Sequence, residues 1–293
     1  MAKILDSKII CDDLEKDIKK QLALLPKLSL ASVAIGKSYS SELYCLNQKR
    51  IADNLGVKYY SVNLKANISF DRFKKEICAL NNDRDITGII INKPFPQGWE
   101  DGLVFSLLDA GKDVEGAHPL NLGKFFIKSE VYFPPESFRS PFALCISPTV
   151  LSVISLLNKC KIDLYGRKAT IVGFSSLIGK PLAFWLANKL VTVNIAHIAT
   201  FESGYLAFYV KEAEILISAV GKPHLIRGEW IKKGAIVIDV GTGKRGNKLI
   251  GDVDFEGASK RASAITPVPG GVGKLTAMFL FHNLVLTAKR KEG

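Results

Sequence analysis

The stretch YCLNQKR contains residue types that could do chemistry: Tyr44, followed by Gln48, Lys49 and Arg50. The surrounding segment SSELYCLNQKRIADNLGV predicts an amphipathic helix that ends at Gly56. Because each helical residue turns by about 100°, Gln48 lies about 40° from Tyr44, whereas Lys49 lies about 140° away. The residue that shares the face of the tyrosine is therefore an uncharged amide, which cannot accept a proton at physiological pH.

Two glycine-rich segments could bring the backbone close to a ligand. In GFSSLIGKP, Gly173, Ser175 and Gly179 follow the apolar run ATIV and precede a predicted helix, where N–H groups and the helix dipole can receive phosphate. The spacing departs from the usual dinucleotide fingerprint, so an ordinary strand-to-helix turn is an equally good interpretation of this segment alone. In TPVPGGVGKLT (266–276), the dense prolines and glycines favour a ligand-contacting loop, with a capped helix start as the alternative.

The segment KDVEGAHP contains Asp113, Glu115 and His118, which could suggest a metal site. No spacing supplies a further ligand, so we predict turn chemistry and no metal, with Glu115 available to accept a hydrogen bond from a ligand amine. The other histidines stand singly and are interpreted as structural: His197, His224 and His282. No Ser/His/Asp or Cys/His arrangement follows from the spacing.

The elements that must position these residues alternate between apolar strands and helices. The strand candidates are residues 30–36, 58–64, 86–92, 168–174, 192–197, 213–221 and 234–241, with helices at residues 70–82 and 274–290. This alternation predicts parallel sheets whose Val/Ile runs are buried on both faces. We therefore expect two α/β domains with a ligand cleft between them, and long loops with a domain junction over residues 93–147.

Composition limits the class of protein. The 293 residues carry 40 Lys and Arg against 28 Asp and Glu, a net charge of +12 that attracts anions. The basic residues are dispersed, which favours anionic small molecules over nucleic acid. The five cysteines are scattered without a Cys-x-x-Cys pair, and no signal peptide or membrane span is evident. We therefore expect reduced core thiols in a cytoplasmic protein with no membrane partner.

The motifs occur in the order of a known family. The segments SSELYCLNQK, GIIINKPFP, KDVEGAHP, VGFSSLIGKP, AVGKP, GAIVIDVG, GDV and ITPVPGGVG together resemble the bifunctional methylenetetrahydrofolate dehydrogenase/methenyltetrahydrofolate cyclohydrolase family over essentially the whole chain. The resemblance implies oxidation of 5,10-methylenetetrahydrofolate by hydride transfer to NAD or NADP, then hydrolysis to 10-formyltetrahydrofolate. It also implies a homodimer, and a folate substrate with or without a polyglutamate tail.

The domain plan and the site residues are also implied by the resemblance. Residues 1–144 plus 274–293 would form a folate-side domain, and residues 145–273 a Rossmann-type nucleotide domain with a doubly wound parallel sheet. Tyr44 would stack on the folate, and the other substrate-binding residues would be Glu115, Pro269, Gly270, Gly271 and Thr276. The nucleotide would be bound by Gly173, Phe174, Ser175, Ile178, Gly179, Thr200, Gly221 and Thr242.

The chain departs from the family pattern where the hydrolase chemistry should reside. The resemblance aligns Gln48 with the family's proton-transfer lysine and Asn92 with the glutamine that holds it; with Tyr44, these are the catalytic candidates. Glu115 stands in place of an aspartate, and CISP (145–148) in place of PCTP. We therefore expect a dehydrogenase whose cyclohydrolase activity is weak or absent. The alternative is a non-catalytic paralogue that binds folate or a partner subunit.

Nucleotide preference depends on two further segments of the resemblance, GFSS and HIAT. NADP-using relatives often carry basic residues after the first glycine and after the second strand, where this chain has Phe174, Ile198 and Ala199. No acid stands at that strand end to bind a free ribose, because Glu202 comes several residues later. The sequence thus favours NAD somewhat over NADP, and impaired nucleotide binding stays open.

Overall fold

The structure is a computed structural model of the chain, and it describes residues 1–127, 130–140, 143–246 and 248–292. The chain divides into two compact units. The six-stranded unit comprises Met1–Asp12 and Thr149–Thr276, and the three-stranded unit comprises Asp13–Pro148 and Ala277–Gly293. Among the described helices, none is both long and apolar enough to cross a membrane.

Strands and helices alternate along most of the described chain. The strands are β1 (Lys3–Ile4), β2 (Ser29–Ile35), β3 (Lys58–Leu64), β4 (Gly88–Asn92), β5 (Lys168–Val172), β6 (Thr192–Ala196), β7 (Ile215–Ser218), β8 (Ile236–Asp239), β9 (Gly243–Arg245), β10 (Lys248–Ile250) and β11 (Ala264–Ile265). The α-helices are α1 (Lys8–Leu22), α2 (Tyr39–Leu55), α3 (Phe70–Asn82), α4 (Asp101–Ser106), α5 (Pro119–Ile127), α6 (Pro148–Lys159), α7 (Gly179–Asn188), α8 (Ile198–Glu202), α9 (Leu206–Glu212), α10 (Phe255–Ser259) and α11 (Val272–Glu292). Short 3-10 helices cover Glu136–Phe138 and Gly228–Trp230.

The three-stranded unit contains a parallel sheet in the order β3-β2-β4. Val33 of the central strand lies opposite Val62 on one side and Ile91 on the other. Every residue of β2 and β4 is buried, as expected for apolar strands that are covered on both faces. The polar side chains of Ser32 and Asn92 are therefore held inside the unit, where they need hydrogen-bond partners.

The six-stranded unit contains a sheet in the order β1-β11-β8-β7-β5-β6, and every described strand pair in it is parallel. Parallel neighbours need crossover connections, and α7 supplies the one between β5 and β6. Strands β7 and β8 are wholly buried. A separate antiparallel pair, β9 with β10, follows β8. The predicted α/β class with a Rossmann-type parallel sheet is confirmed.

Some predicted elements differ from those in the structure. The candidates at 213–221 and 234–241 shorten to four residues each, because their ends turn out of the sheet into glycine-containing loops. The long-loop prediction for 93–147 was wrong in part, since α4 and α5 lie there and bury Val104, Phe105 and Phe125. The two-residue strands β1 and β11 were not predicted, because so short a run has no measurable periodicity.

Lys3 and Ile4 pair with Ala264 and Ile265, so the first residues lie in the six-stranded unit, whereas the predicted domain boundary assigned them to the folate-side domain of residues 1–144 plus 274–293.

The five cysteines are free thiols, of which Cys11 and Cys145 are buried, Cys45 and Cys160 are partly buried and Cys78 is exposed. The expectation of core thiols therefore fails for Cys78.

Candidate active site

Helix α2 carries the tyrosine and the glutamine that drew attention in the sequence. Ser38 precedes the helix in an extended conformation, and Gly56 ends it in the left-handed region with φ 71°. One helical turn separates Tyr44, which is half-buried, from Gln48, whose exposure is 0%. Gln48 is therefore buried, on the helical face that it shares with Tyr44.

A closed ring of hydrogen bonds holds the Gln48 amide. Its Nε2 donates to Asn92 Oδ1 (3.1 Å), Asn92 Nδ2 donates to Ser32 Oγ (2.8 Å), and Ser32 Oγ donates to Gln48 Oε1 (2.8 Å). The Tyr59 hydroxyl also donates to Gln48 Oε1, at 3.0 Å. Asn92 makes one more bond, to the Val33 carbonyl oxygen at 3.0 Å. All members of the ring are neutral groups, and the ring is internally satisfied.

The KDVEGAHP segment folds around one buried carboxylate. Asp113, with 0% exposure, accepts hydrogen bonds from the backbone N–H groups of Glu115 (3.0 Å) and His118 (2.8 Å) and from Asn121 Nδ2 (2.8 Å). His118 Nδ1 in turn accepts from the N–H of Leu120 in the first turn of α5. Asp113 and His118 therefore shape the loop, as turn chemistry predicts, and the loop fixes the backbone of Glu115. Among the described residues, no cluster of three or more His, Cys, Asp or Glu side chains is arranged to hold a metal ion.

Glu115 is the titratable group of this site. Burial, then the neighbouring Asp113 carboxylate, raise the pKa of Glu115 to about 8, although Lys93 opposes the shift. Burial, and secondly the Glu115 carboxylate, also raise the pKa of Tyr44, while a hydrogen bond with Gln48 opposes this. These interactions bring Tyr44, Gln48 and Glu115 into one site. At neutral pH the site contains a protonated carboxyl group and a neutral phenol.

Lys49 and Lys93 make contacts outside the hydrogen-bond ring of Gln48. Lys49 is exposed and lines a groove of about 830 Å³ beside α2. Cys45 lines the same groove. Tyr59 lines the same groove, so its hydroxyl connects the groove wall to Gln48. Lys93 pairs with Asp101 at 2.7 Å. Neither lysine belongs to the Gln48 ring.

The turn between β5 and α7 is a tight turn with a glycine at Gly173 and at Gly179. Gly173 follows β5 with φ +112°, and a Cβ at this position would lie 2.7 Å from the Ala219 carbonyl oxygen. A Cβ on Gly179 would overlap the Gly173 carbonyl oxygen, so both ends of the turn need glycine. The turn ends at Ile178, which precedes α7, and Ser175 accepts at its carbonyl from the N–H of Lys180. The backbone therefore fits the predicted nucleotide role.

Of the other predicted nucleotide residues, Thr200 lies in α8, whereas Gly221 and Thr242 lie on loops of the same unit. Thr200 closes a capping box with His197 at the start of α8. Gly221, with φ +75°, lies between two N–H groups that Asp252 fixes: Val220 N to Oδ2 at 2.8 Å and Lys222 N to Oδ1 at 2.7 Å. Thr242 is exposed just before β9. Asp252 thus shapes the loop that contains Gly221.

The segment 266–276 leads into α11. The Gly270 carbonyl oxygen accepts from both the N–H (3.2 Å) and the hydroxyl (2.8 Å) of Ser7, which fixes the loop after Pro269. Gly271 is buried, and the Thr276 hydroxyl donates to a main-chain carbonyl one turn earlier in the helix. These predicted folate-contacting residues lie in the six-stranded unit, whereas Tyr44 and its neighbours lie in the three-stranded unit.

Three polar residues of these sites were not singled out from the sequence. Ser32 and Tyr59 complete the hydrogen bonds of Gln48, and Asp252 orders the loop around Gly221. A serine inside the apolar run LASVAIG was the available signal for Ser32, since a polar residue in a buried strand needs a partner. Tyr59 and Asp252 carried no comparable signal, because their partners are distant in sequence.

Comparison with known proteins places this geometry in a family. Residues 5–115 match the catalytic domain described as tetrahydrofolate dehydrogenase/cyclohydrolase, and residues 147–292 match the NAD(P)-binding domain of the same description. A bifunctional protein FolD from a Nitratiruptor species is 36% identical over 294 residues, covering 99% of each chain. This chain belongs to the tetrahydrofolate dehydrogenase/cyclohydrolase family. The predicted family and nicotinamide nucleotide class are thereby confirmed.

Solved structures agree with the family assignment. The bifunctional FolD enzyme from Campylobacter jejuni superposes with a TM-score of 0.87 at 32% identity, covering 99% of this chain and 100% of that one. The Trypanosoma brucei methylenetetrahydrofolate dehydrogenase-cyclohydrolase, solved with NADP and an inhibitor, gives 0.88 at 32% identity, with coverage of 99% and 98%. The family fold thus extends over almost the whole chain.

Proposed function

We propose that this protein oxidises 5,10-methylenetetrahydrofolate to 5,10-methenyltetrahydrofolate by transferring a hydride to NAD or NADP. The bound nicotinamide supplies the hydride acceptor, so the chain's own residues need to orient the two reactants and exclude water. A hydride leaves the methylene carbon and a methenyl cation remains, so no proton is released and no general base is required. Tyr44 offers an aromatic face to the folate, and the turn from Gly173 to Gly179 offers backbone N–H groups to the nucleotide phosphates.

We propose further that hydrolysis of the methenyl product is weak or absent. Addition of water to the methenyl cation releases a proton, so this step needs a base near the reacting carbon. We infer that Gln48 occupies the position of the family's proton-transfer lysine, with Asn92 in place of its supporting glutamine. The observation that carries the proposal is the closed neutral ring of Gln48, Asn92 and Ser32, in which no member can accept a proton at neutral pH.

Glu115 is proposed to bind the folate through a neutral carboxyl group. Its pKa of about 8 means that the protonated form dominates at pH 7, so the group can both donate and accept a hydrogen bond. Hydrogen bonds from the backbone N–H groups of Glu115 and His118 to Asp113 fix the loop that carries this carboxyl group. A ligand with adjacent donor and acceptor atoms, such as a pterin ring, suits this pairing.

The remaining assignments are proposals of the same kind. Pro269, Gly270, Gly271 and Thr276 would contact the folate; Phe174, Ser175, Ile178, Thr200, Gly221 and Thr242 would contact the nucleotide. The functional domains would be residues 1–144 plus 274–293 and residues 145–273, in a cytoplasmic homodimer. A folate-binding paralogue without catalysis is the competing function, motivated by the neutral ring at Gln48.

Two assays on one purified preparation test the proposal. The first measures formation of the methenyl product from methylenetetrahydrofolate with NAD or with NADP, and the second measures decay of added methenyltetrahydrofolate above its spontaneous rate. We expect product in the first assay and little acceleration in the second. Absence of product with both nucleotides, together with tight folate binding, would support the non-catalytic paralogue instead.

A further inference from the structure

The carboxyl ends of β5 and β6 form one corner of the six-stranded sheet. Val172 lies opposite Ala196 in this parallel pair, so Phe174 and Ile198 follow the two strands at the same edge. The tight turn at Gly173 begins here as well. In open parallel sheets this edge is where nucleotides bind, and the second strand end is where their ribose is recognised.

The strand ends offer the ribose no carboxylate. Phe174 and Ile198 are apolar and exposed, at 46% and 66%. The His197 side chain is engaged in the capping box with Thr200, and Glu202 lies at the far end of α8. A carboxylate at this place would favour a free ribose hydroxyl and disfavour a phosphate. The corner is therefore open to a phosphorylated ribose, provided that a cation is present.

Helix α7 supplies that cation. Lys180 is the second residue of the helix, and its Nζ lies 5.2 Å from the centre of the Phe174 ring. The ammonium group thus sits over the side chain that directly follows Gly173. Among the described residues, no carboxylate lies within ion-pair distance of Lys180. An exposed cation–π contact restrains the ammonium without neutralising it, so its charge stays available to an anion.

We infer that Lys180 is the specificity-determining cation that binds a phosphate on the adenosine ribose, which makes NADP the preferred nucleotide. The inference rests on the proposed dehydrogenase function. It reverses the preference for NAD drawn from the sequence, because that preference considered only the residues of the turn and the strand end. The ammonium comes instead from the helix that follows the turn, seven positions after Gly173.

Equilibrium binding to the full chain tests this inference without requiring turnover. Titration calorimetry with NADP and with NAD should give tighter binding of NADP, with the difference shrinking as salt rises. Lys180→Met should weaken NADP binding about tenfold, the low end for one charge-assisted hydrogen bond, and leave NAD binding unchanged. Lys180→Arg should retain the preference. Lys58→Met is the matched control, because Lys58 makes an equivalent contact with Tyr60 at 4.7 Å in the other unit.

Several outcomes would overturn the inference. Tighter binding of NAD by the unmodified chain would do so, as would equal weakening of both nucleotides by Lys180→Met. Loss of the preference in Lys222→Met alone would assign the role to Lys222, which lies 4.8 Å from the Phe201 ring. If neither nucleotide binds to the folded chain, the proposed dehydrogenase function fails together with this inference, whereas NAD-selective binding refutes this inference alone. Thermal unfolding of each variant checks that it is folded.

Discussion

The substitution Gln48→Lys tests the reasoning about the active site most directly. It places an ammonium group in a fully buried position where Gln48 now accepts from Ser32 and Tyr59 and donates to Asn92. The ammonium form of lysine has no acceptor, so both hydroxyl groups must turn to accept from Nζ, while Asn92 Oδ1 can still accept. The ring can therefore hold a lysine only after its hydroxyl hydrogens are rearranged.

The energetic cost and the catalytic gain can both be estimated. Burial without a carboxylate partner should lower the pKa of the new lysine by about two units, which costs about 3 kcal/mol at neutral pH. Rearrangement of two neutral hydrogen bonds adds about 1 kcal/mol, so the free energy of unfolding should fall by about 4 kcal/mol. A lysine with so low a pKa is a competent base, and general-base catalysis contributes at least about 100-fold.

The assay follows the decay of methenyltetrahydrofolate in wild type, in Gln48→Lys and in Gln48→Met, which matches the length of the side chain without a basic group. We expect Gln48→Lys to accelerate hydrolysis about 100-fold and Gln48→Met to remain at the spontaneous rate. Asn92→Gln added to Gln48→Lys should raise the rate further, because a longer amide reaches the new ammonium. Rapid hydrolysis by wild type, or no gain in a folded Gln48→Lys variant that still binds folate, would falsify the account.

Two buried titratable groups and one tightly packed glycine can each be tested. Burial raises the pKa of Glu115 to about 8, so dehydrogenase kcat/KM should fall above pH 8 as the carboxyl group ionises. The Glu115→Gln variant should show no such fall. Parallel pH profiles of the two proteins would contradict the role of a neutral Glu115 in folate binding. Gly179→Ala should abolish nucleotide binding in calorimetry, because its Cβ would overlap the Gly173 carbonyl oxygen. The control is Gly123→Ala, where a helix leaves open space for the Cβ. This variant should bind nucleotide normally and gain about 0.5–1 kcal/mol of stability. Burial lowers the pKa of His282 to about 4 from 6.5, so its contribution to stability is complete above pH 6.5 and is lost as the pH falls towards 4. Relative to a His282→Gln variant, wild type should lose about 2 kcal/mol more between pH 7 and pH 5 in urea unfolding, and equal losses would refute this.

Local pattern was sufficient for most of the fold. The mostly apolar runs of β2, β4 and β8 and the helix pattern of α2 and α3 are properties of adjacent residues, so their existence could be predicted from the sequence. Strand ends, the helices within 93–147 and the pairing of β1 with β11 could not, because they depend on which distant segments cover a given residue.

The sequence by itself determined the family, the α/β class and the shared helical face of Tyr44 and Gln48, because these follow from motif order and local periodicity. Only the tertiary structure decided what surrounds those residues. Ser32 and Asn92 are 60 positions apart, yet they share a hydrogen bond because β2 and β4 are neighbours. Likewise, burial rather than residue type raises the pKa of Glu115, and Lys180 reaches Phe174 only because α7 folds back over the turn. Such effects depend on distances through space, which residue order alone does not specify.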